Sequence, residues 1–280
     1  MQDPNKPMWF DKKDKEKDKD IKIHDLKAKK FSIFVATPCH SDVSLHYFQA
    51  CLEFQKVCMK NDVLTSFQIM KSSLVTQGRN LCVSSFMESK DTHLLFVDSD
   101  IEFQAQSVFK MIAADKGVIS VPYPLKQLMW DKCWDRLQNG SIKNAKDLKY
   151  KGLYTYPMKV VNEKNIEIDK DGVIEVTHSP TGCMLIKREV IEKMIKAYPE
   201  KEIVQKTVVN GELINRPFFY NLFDTEFDQS TKTYLGEDFA FCRRWRNIGG
   251  KCYALITDRI NHVGEHQYRG CFADELIKVD

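Results

Sequence analysis

Two aspartates separated by one serine, Asp98-Ser99-Asp100, end the apolar run Leu94-Leu-Phe-Val97. In a strand, residues i and i+2 point to the same side. As the chain leaves the strand, one or both carboxylates can therefore reach a common cation. Oxygen ligands at such a place suit Mg²⁺ or Mn²⁺, which commonly bridge a protein carboxylate to substrate phosphates. A D-x-D alone is more often a solvated turn. A second acidic pair, Glu237-Asp238, follows Gly236 and opens a helical pattern, where the dipole favours an anion and should keep Asp238 ionised near neutral pH. The late segment Asn261-His262-Val-Gly-Glu-His266 adds two imidazoles. Separately these read as a turn, a helix-start charge and a satisfied polar histidine. Jointly they make a divalent-metal site with a spare carboxylate that could take a proton.

The elements that must position these groups alternate along the chain. A buried strand over Phe31–Thr37 is stopped by Pro38, and Cys39-His40-Ser41-Asp42 forms a loop with Ser41 or Asp42 as N-cap. A helix over Val43–Met59 carries Leu45, Phe48, Leu52 and Val57 at helical spacing. A strand over Asp62–Met70, a helix over Leu74–Glu88 with Arg79 and Asn80 in its first turns, and the strand Leu94–Val97 follow. A helix near Gln104–Ala114 and a strand over Gly117–Val121, ended by Pro122 and Pro124, complete the pattern. Such alternation predicts an open α/β sheet, whose ligands sit outside the carboxyl ends of the strands. The loops at Thr37–His40 and Asp98–Asp100 should then face one crevice.

The second half is less regular. Trp130 and Trp134, four apart, read first as core anchors and otherwise as a sugar-stacking platform. Tyr154–Val161 and Gly172–Thr177 look like strands of a smaller antiparallel part. Ser179–Lys187 is a loop entering a buried strand, in which Gly182 permits a close backbone approach, and a helix follows to about Ala197. Residues 198–234 read as an aromatic-rich surface excursion. The helix from Glu237 buries Phe241, Trp245 and Ile248 and ends at Gly249-Gly250, before a last strand over Lys251–Ile256.

At 280 residues, with 43% hydrophobic and 29% charged content, the chain fits one large domain or one with a subdomain. A net charge of +3, with basic residues interleaved among acidic ones, argues against nucleic acid as a partner. No apolar run of 18 residues exists and Met-Gln-Asp-Pro-Asn-Lys opens no apolar leader, so neither a transmembrane segment nor a secretory signal is expected, and the expected location is cytoplasmic. Residues 1–30 are expected to form a flexible arm, since every position from Asp11 to Asp20 is charged. The nine cysteines include no C-x-x-C pair and read as buried, reduced thiols rather than a zinc site.

Taken in order, Asp98-Ser-Asp100, Pro180-Thr-Gly-Cys183, Gly236-Glu-Asp238 and Asn261-His-Val-Gly264 resemble the family-2-like glycosyltransferases of the GT-A fold, across about Phe31 to Gly270. Pro180–Glu189 and Glu237–Trp245 are more narrowly similar to glycosyltransferases encoded by large DNA viruses and phages. The resemblance implies a Rossmann-like nucleotide-binding half over residues 31–125 and an acceptor and catalytic half over 126–280. It implies Mn²⁺ or Mg²⁺ held by Asp98, Asp100 and His262, with His266 in reserve. The same likeness places a UDP- or GDP-sugar on Thr37, Pro38, His40, Arg79, Ser99 and Gly182, and puts Asp238 as general base beside Glu237. The acceptor would be a glycan or another hydroxyl. Inversion is the favoured outcome, and retention would give Asp238 a binding role instead. A sugar-phosphate nucleotidyltransferase should show a glycine-rich loop after the first strand, which Thr37–His40 lacks. A non-catalytic sugar- or nucleotide-binding module of the same fold is the alternative from another class.

Overall fold

The computed structural model describes Leu26 and residues 30–144, 147–148, 153–209, 211–264 and 268–276. The charged run 11–20 and His266 lie outside the described residues. The chain runs β1 (Ser32–Cys39), α1 (Leu45–Lys60), β2 (Leu64–Lys71), α2 (Val75–Glu88), β3 (His93–Val97), β4 (Ile101–Glu102), α3 (Ala105–Ala114) and β5 (Val118–Ser120). It continues through α4 (Trp130–Gln138), β6 (Lys159–Val160), β7 (Val173–His178), β8 (Cys183–Lys187), α5 (Arg188–Ala197), β9 (Thr207–Val209) and β10 (Glu212–Ile214). Last come β11 (Glu226–Asp228), β12 (Thr233–Leu235), α6 (Glu237–Asn247), β13 (Cys252–Leu255), β14 (Ile260–His262), β15 (Tyr268–Gly270) and α7 (Ala273–Leu276).

An eight-stranded sheet in the order β2-β1-β3-β8-β5-β13-β7-β6 forms the centre. All its strands except β8 and β7 point the same way. This is the Rossmann-like α/β sheet that the GT-A resemblance implies. β3 is flanked by β1 and β8 and buried on both faces. Leu94 and Phe96 enter the core under α2, α5 and α6, while Leu95 and Val97 enter the core under α1 and α3. Each such side chain contributes about 1.5–3 kcal/mol relative to exposure. The strand that presents Asp98 is thus clamped from both sides.

Several expectations are corrected. β1 does not stop at Pro38 but continues through Cys39. Beyond Ala36 it has lost β3 and keeps only β2 as partner, so the missing proline N–H is tolerated as on an edge strand. Helix α1 is capped by Ser44, whose hydroxyl accepts from Tyr47 N at 3.1 Å. It buries Tyr47, Ala50, Cys51, Phe54 and Cys58, leaving the expected stripe of Leu45, Phe48 and Leu52 exposed. Both faces are apolar in sequence, and the larger rings of Tyr47 and Phe54 took the inside. β6 and β7 extend the main sheet rather than forming a separate one; the small antiparallel sheet is instead β15-β14-β4. The supposed surface excursion carries two hairpins, β9/β10 and β11/β12, and buries Phe219, Leu222 and Phe223. Phe223 stacks on Phe241 at 4.3 Å and meets Phe96 edge-on at 5.3 Å, which wedges the segment between β3 and α6. Trp130 and Trp134 are exposed, not core anchors. No helix among the described residues is long and apolar enough to cross a membrane.

Candidate active site

The turn after β3 is fixed by its backbone. Asp98 N donates to Gly182 O at 3.1 Å, Ile101 N returns to Asp98 O at 3.0 Å, and Val263 N donates to Asp100 O at 2.8 Å. β8 and the β14 segment therefore hold the two aspartates from opposite sides. Ser99, half-buried, contributes its carbonyl to Ser44 N at 2.8 Å.

Arg79, 2% exposed on α2, is the centre of the acidic cluster. Its Nη2 lies 3.0 and 3.2 Å from the two Asp98 oxygens, and its Nε donates to Glu237 Oε1 at 3.2 Å. Only the 3.2 Å contact has hydrogen-bond geometry, and Asp98 Oδ1 has no hydrogen-bond partner. Burial works against the guanidinium charge, but Asp98 and Glu237 outweigh it and raise its pKa. Burial likewise raises the Asp98 pKa, with Arg79 opposing it. Arg79 also lies over the Phe96 ring at 5.4 Å. One guanidinium thus ties the β3 turn to the start of α6.

Asp238, next to Glu237, accepts from Phe239 N at 2.7 Å. Desolvation, then Glu237, push its carboxyl up to about 6, and the Phe239 N–H only partly opposes this. The helix-start dipole was expected to dominate. Burial beside a second carboxylate wins instead. Asp238 is still ionised at neutral pH, but it holds a proton far more readily than an ordinary aspartate.

Asp100 behaves in the opposite way. Burial raises its pKa, but hydrogen bonds to His262 and Lys126 outweigh that and hold it at about 2. His262 Nε2 lies 3.3 Å from Asp100 Oδ2, and its Nδ1 is 2.9 Å from Pro124 O. A carbonyl can only accept, so Nδ1 carries a proton. Nε2 then either carries a second proton toward Asp100 or offers a lone pair to a cation shared with it. This orientation by an outer carbonyl is typical of metal-ligating histidines. Among the described residues no three His, Cys, Asp or Glu side chains converge on one point. Asp100 and His262 would offer Mn²⁺ or Mg²⁺ one carboxylate and one imidazole, at a carboxylate oxygen that Lys126 also holds. Asp98, committed to Arg79, would act from behind.

The other expected contacts divide. Gly182 is in the crevice, and its role is steric: a Cβ there would come within 2.4 Å of Tyr123 Cε1 and 3.1 Å of Asp98 Oδ2. Thr37 and Pro38 lie in β1 rather than in a loop. Thr37 is fully buried with its hydroxyl on Tyr47 Oη at 2.6 Å, Pro38 is buried, and His40 is exposed. Asn80 is structural, donating to Asn221 at 2.9 Å and accepting from Phe223 N at 3.0 Å. Tyr123 and Lys126 were missed. Tyr123 packs 4.8 Å from the His262 ring and its phenol is raised well above its usual range, by burial and then by Asp98 and Asp238. Their signal was the Pro122–Pro124 break at the carboxyl end of β5, the edge where ligands bind. Arg79 Nη1 and Thr181 Oγ1 remain buried without hydrogen-bond partners among the described residues.

No family model and no curated protein matches the chain. Among solved structures it is similar to protein A197 from STIV, at 20% identity and TM-score 0.44, over 83% of this chain and 86% of that one. It is also similar to 4-diphosphocytidyl-2C-methyl-D-erythritol synthase from Anaerococcus prevotii DSM 20548, at 10% identity and TM-score 0.29, over 65% and 81%. Both likenesses are remote, and neither carries the chemistry of its protein over to this one.

Proposed function

We propose that this protein is a metal-dependent glycosyltransferase that moves a sugar from a nucleotide-sugar donor to an acceptor hydroxyl, with inversion. The observation that carries the reading is the convergence of three segments distant in sequence. Asp98–Asp100, Glu237-Asp238 and His262 meet around Arg79 and Tyr123.

A divalent ion on Asp100 and His262 would supply Lewis-acid neutralisation of the leaving diphosphate. Arg79 and Lys126 hold the aspartates in place, and the orphaned Arg79 Nη1 and Thr181 Oγ1 are polar atoms that a donor could satisfy. Asp238 takes the acceptor proton as the oxygen attacks the sugar carbon; a carboxyl held near 6 is matched to that task at neutral pH. The donor carbon passes through an oxocarbenium-like state.

The test is a thermal-shift panel of UDP-, GDP- and dTDP-sugars, each with Mn²⁺, Mg²⁺ or EDTA, followed by donor turnover. Binding to the native state alone raises the melting temperature. The expected result is a metal-dependent shift with one nucleotide class. Absence of any shift in a folded protein sinks the nucleotide site. A shift without turnover, unaltered by Asp238→Asn, identifies a binding module instead.

A further inference from the structure

Trp130 and Trp134 are 62% and 61% exposed, unusual for side chains of such large apolar area. One turn apart on α4, they are spaced about 6 Å along the helix axis, close to the length of one pyranose unit. The flank of α4 beside them is fixed, because Cys133 packs with Ile142, Leu153 and Tyr154 in a small core of its own. The chain entering α4 comes directly from the crevice. Pro124 meets His262 and Lys126 meets Asp100, while Leu125 N and Met129 N bond to Thr155 O at 2.8 Å and Leu153 O at 2.7 Å. Lys126 and Trp130 are at most about 14 Å apart along the backbone. The indoles therefore stand a few sugar lengths from Asp100.

We infer that Trp130 and Trp134 form a carbohydrate-stacking subsite for an extended acceptor glycan, an inference that rests on the sugar-transfer reading of the crevice. The apolar C–H faces of sugar rings stack on indole faces, and Asp131, Asp135 and Gln138 on the same helix can take hydroxyl hydrogen bonds. The charge pattern favours this occupant over a lipid surface. Asp131 and Asp135 balance Lys132 and Arg136, whereas an interfacial helix carries a Lys/Arg-rich polar face.

The test is tryptophan emission of the full chain, titrated with hexasaccharides of glucose, N-acetylglucosamine and mannose, and with phosphatidylcholine vesicles. At least one hexasaccharide should change the emission saturably. Trp130→Ala with Trp134→Ala should weaken that binding by about tenfold or more, read by calorimetry, while the Phe pair retains it. Unchanged circular dichroism checks the fold of each variant. No hexasaccharide binding, binding kept by the alanine pair, or a response to vesicles alone overturns the inference. The metal-dependent donor shift, measured on the same variants, reports separately on the transfer reading and should be unaffected.

Discussion

At Asp238, function and stability pull in opposite directions. Its folded pKa, about 6, lies above the ordinary carboxylate range, so its favourable contribution exists at low pH and is lost as pH rises through about 6. Above that the buried charge is a burden. Asp238→Asn keeps the shape and the acceptor for Phe239 N, and should raise the melting temperature at pH 8 relative to pH 5, by the equivalent of about 1.4 kcal/mol. It should also lower turnover by about 10²–10⁴-fold while metal-dependent donor binding persists. Wild-type kcat should rise with pH through about 6, and a flat profile from pH 5 to 8 would refute the base assignment. Arg79 gives the converse case. Arg79→Ala strands the Asp98 and Glu237 charges and should lower stability by about 3–5 kcal/mol in urea unfolding. Lysine should not restore it, because a single ammonium cannot span both carboxylates as the guanidinium fork does. The acidic pairs and the late histidine were legible as residues of interest. The dominant force at Asp238 was not, because desolvation depends on what the rest of the chain packs around it.

At the scale of elements, the crevice is a meeting of loops held by buried strands, and one tight join is between the β5 end and the β8 start. Gly182→Ala drives a methyl into the Tyr123 ring and should cost about 1–3 kcal/mol. The loss should shrink when Tyr123 is also replaced by alanine, which a double-mutant cycle measures directly. Strand-helix alternation made β1, β2, β3 and β5 readable, β1, β3 and β5 as short buried apolar runs, while the two-residue β4 left no pattern. The segment 198–234 was misread because its aromatics lack either period, and their burial depends on partners far away in sequence, Phe96 and Phe241. Phe223→Ala should accordingly behave as a core truncation, costing about 3–5 kcal/mol by denaturation, rather than as a neutral surface change. The α1 stripe was misassigned for a related reason: two apolar faces compete in one sequence, and only the fitted core decides between them.

For the whole molecule, all nine cysteines are buried thiols, as their apolar settings suggested. An Ellman titration should find almost no fast-reacting thiol in the native protein and nine in guanidinium. Melting should be insensitive to reductant. The Arg79 junction also has a consequence for how the protein is made. Its partner Asp98 is 19 residues away, but Glu237 is 158 residues away, and His262 lies 162 residues from Asp100. A chain leaving the ribosome can close the first pair early and must wait for the others until Glu237 and His262 have been synthesised, at about 5–20 residues per second. These long sequence separations place completion of the crevice among the slow, high-contact-order events of folding. On the proposed reading, transfer would then begin only after His262 has been made, so no shorter growing fragment could consume donor at the ribosome.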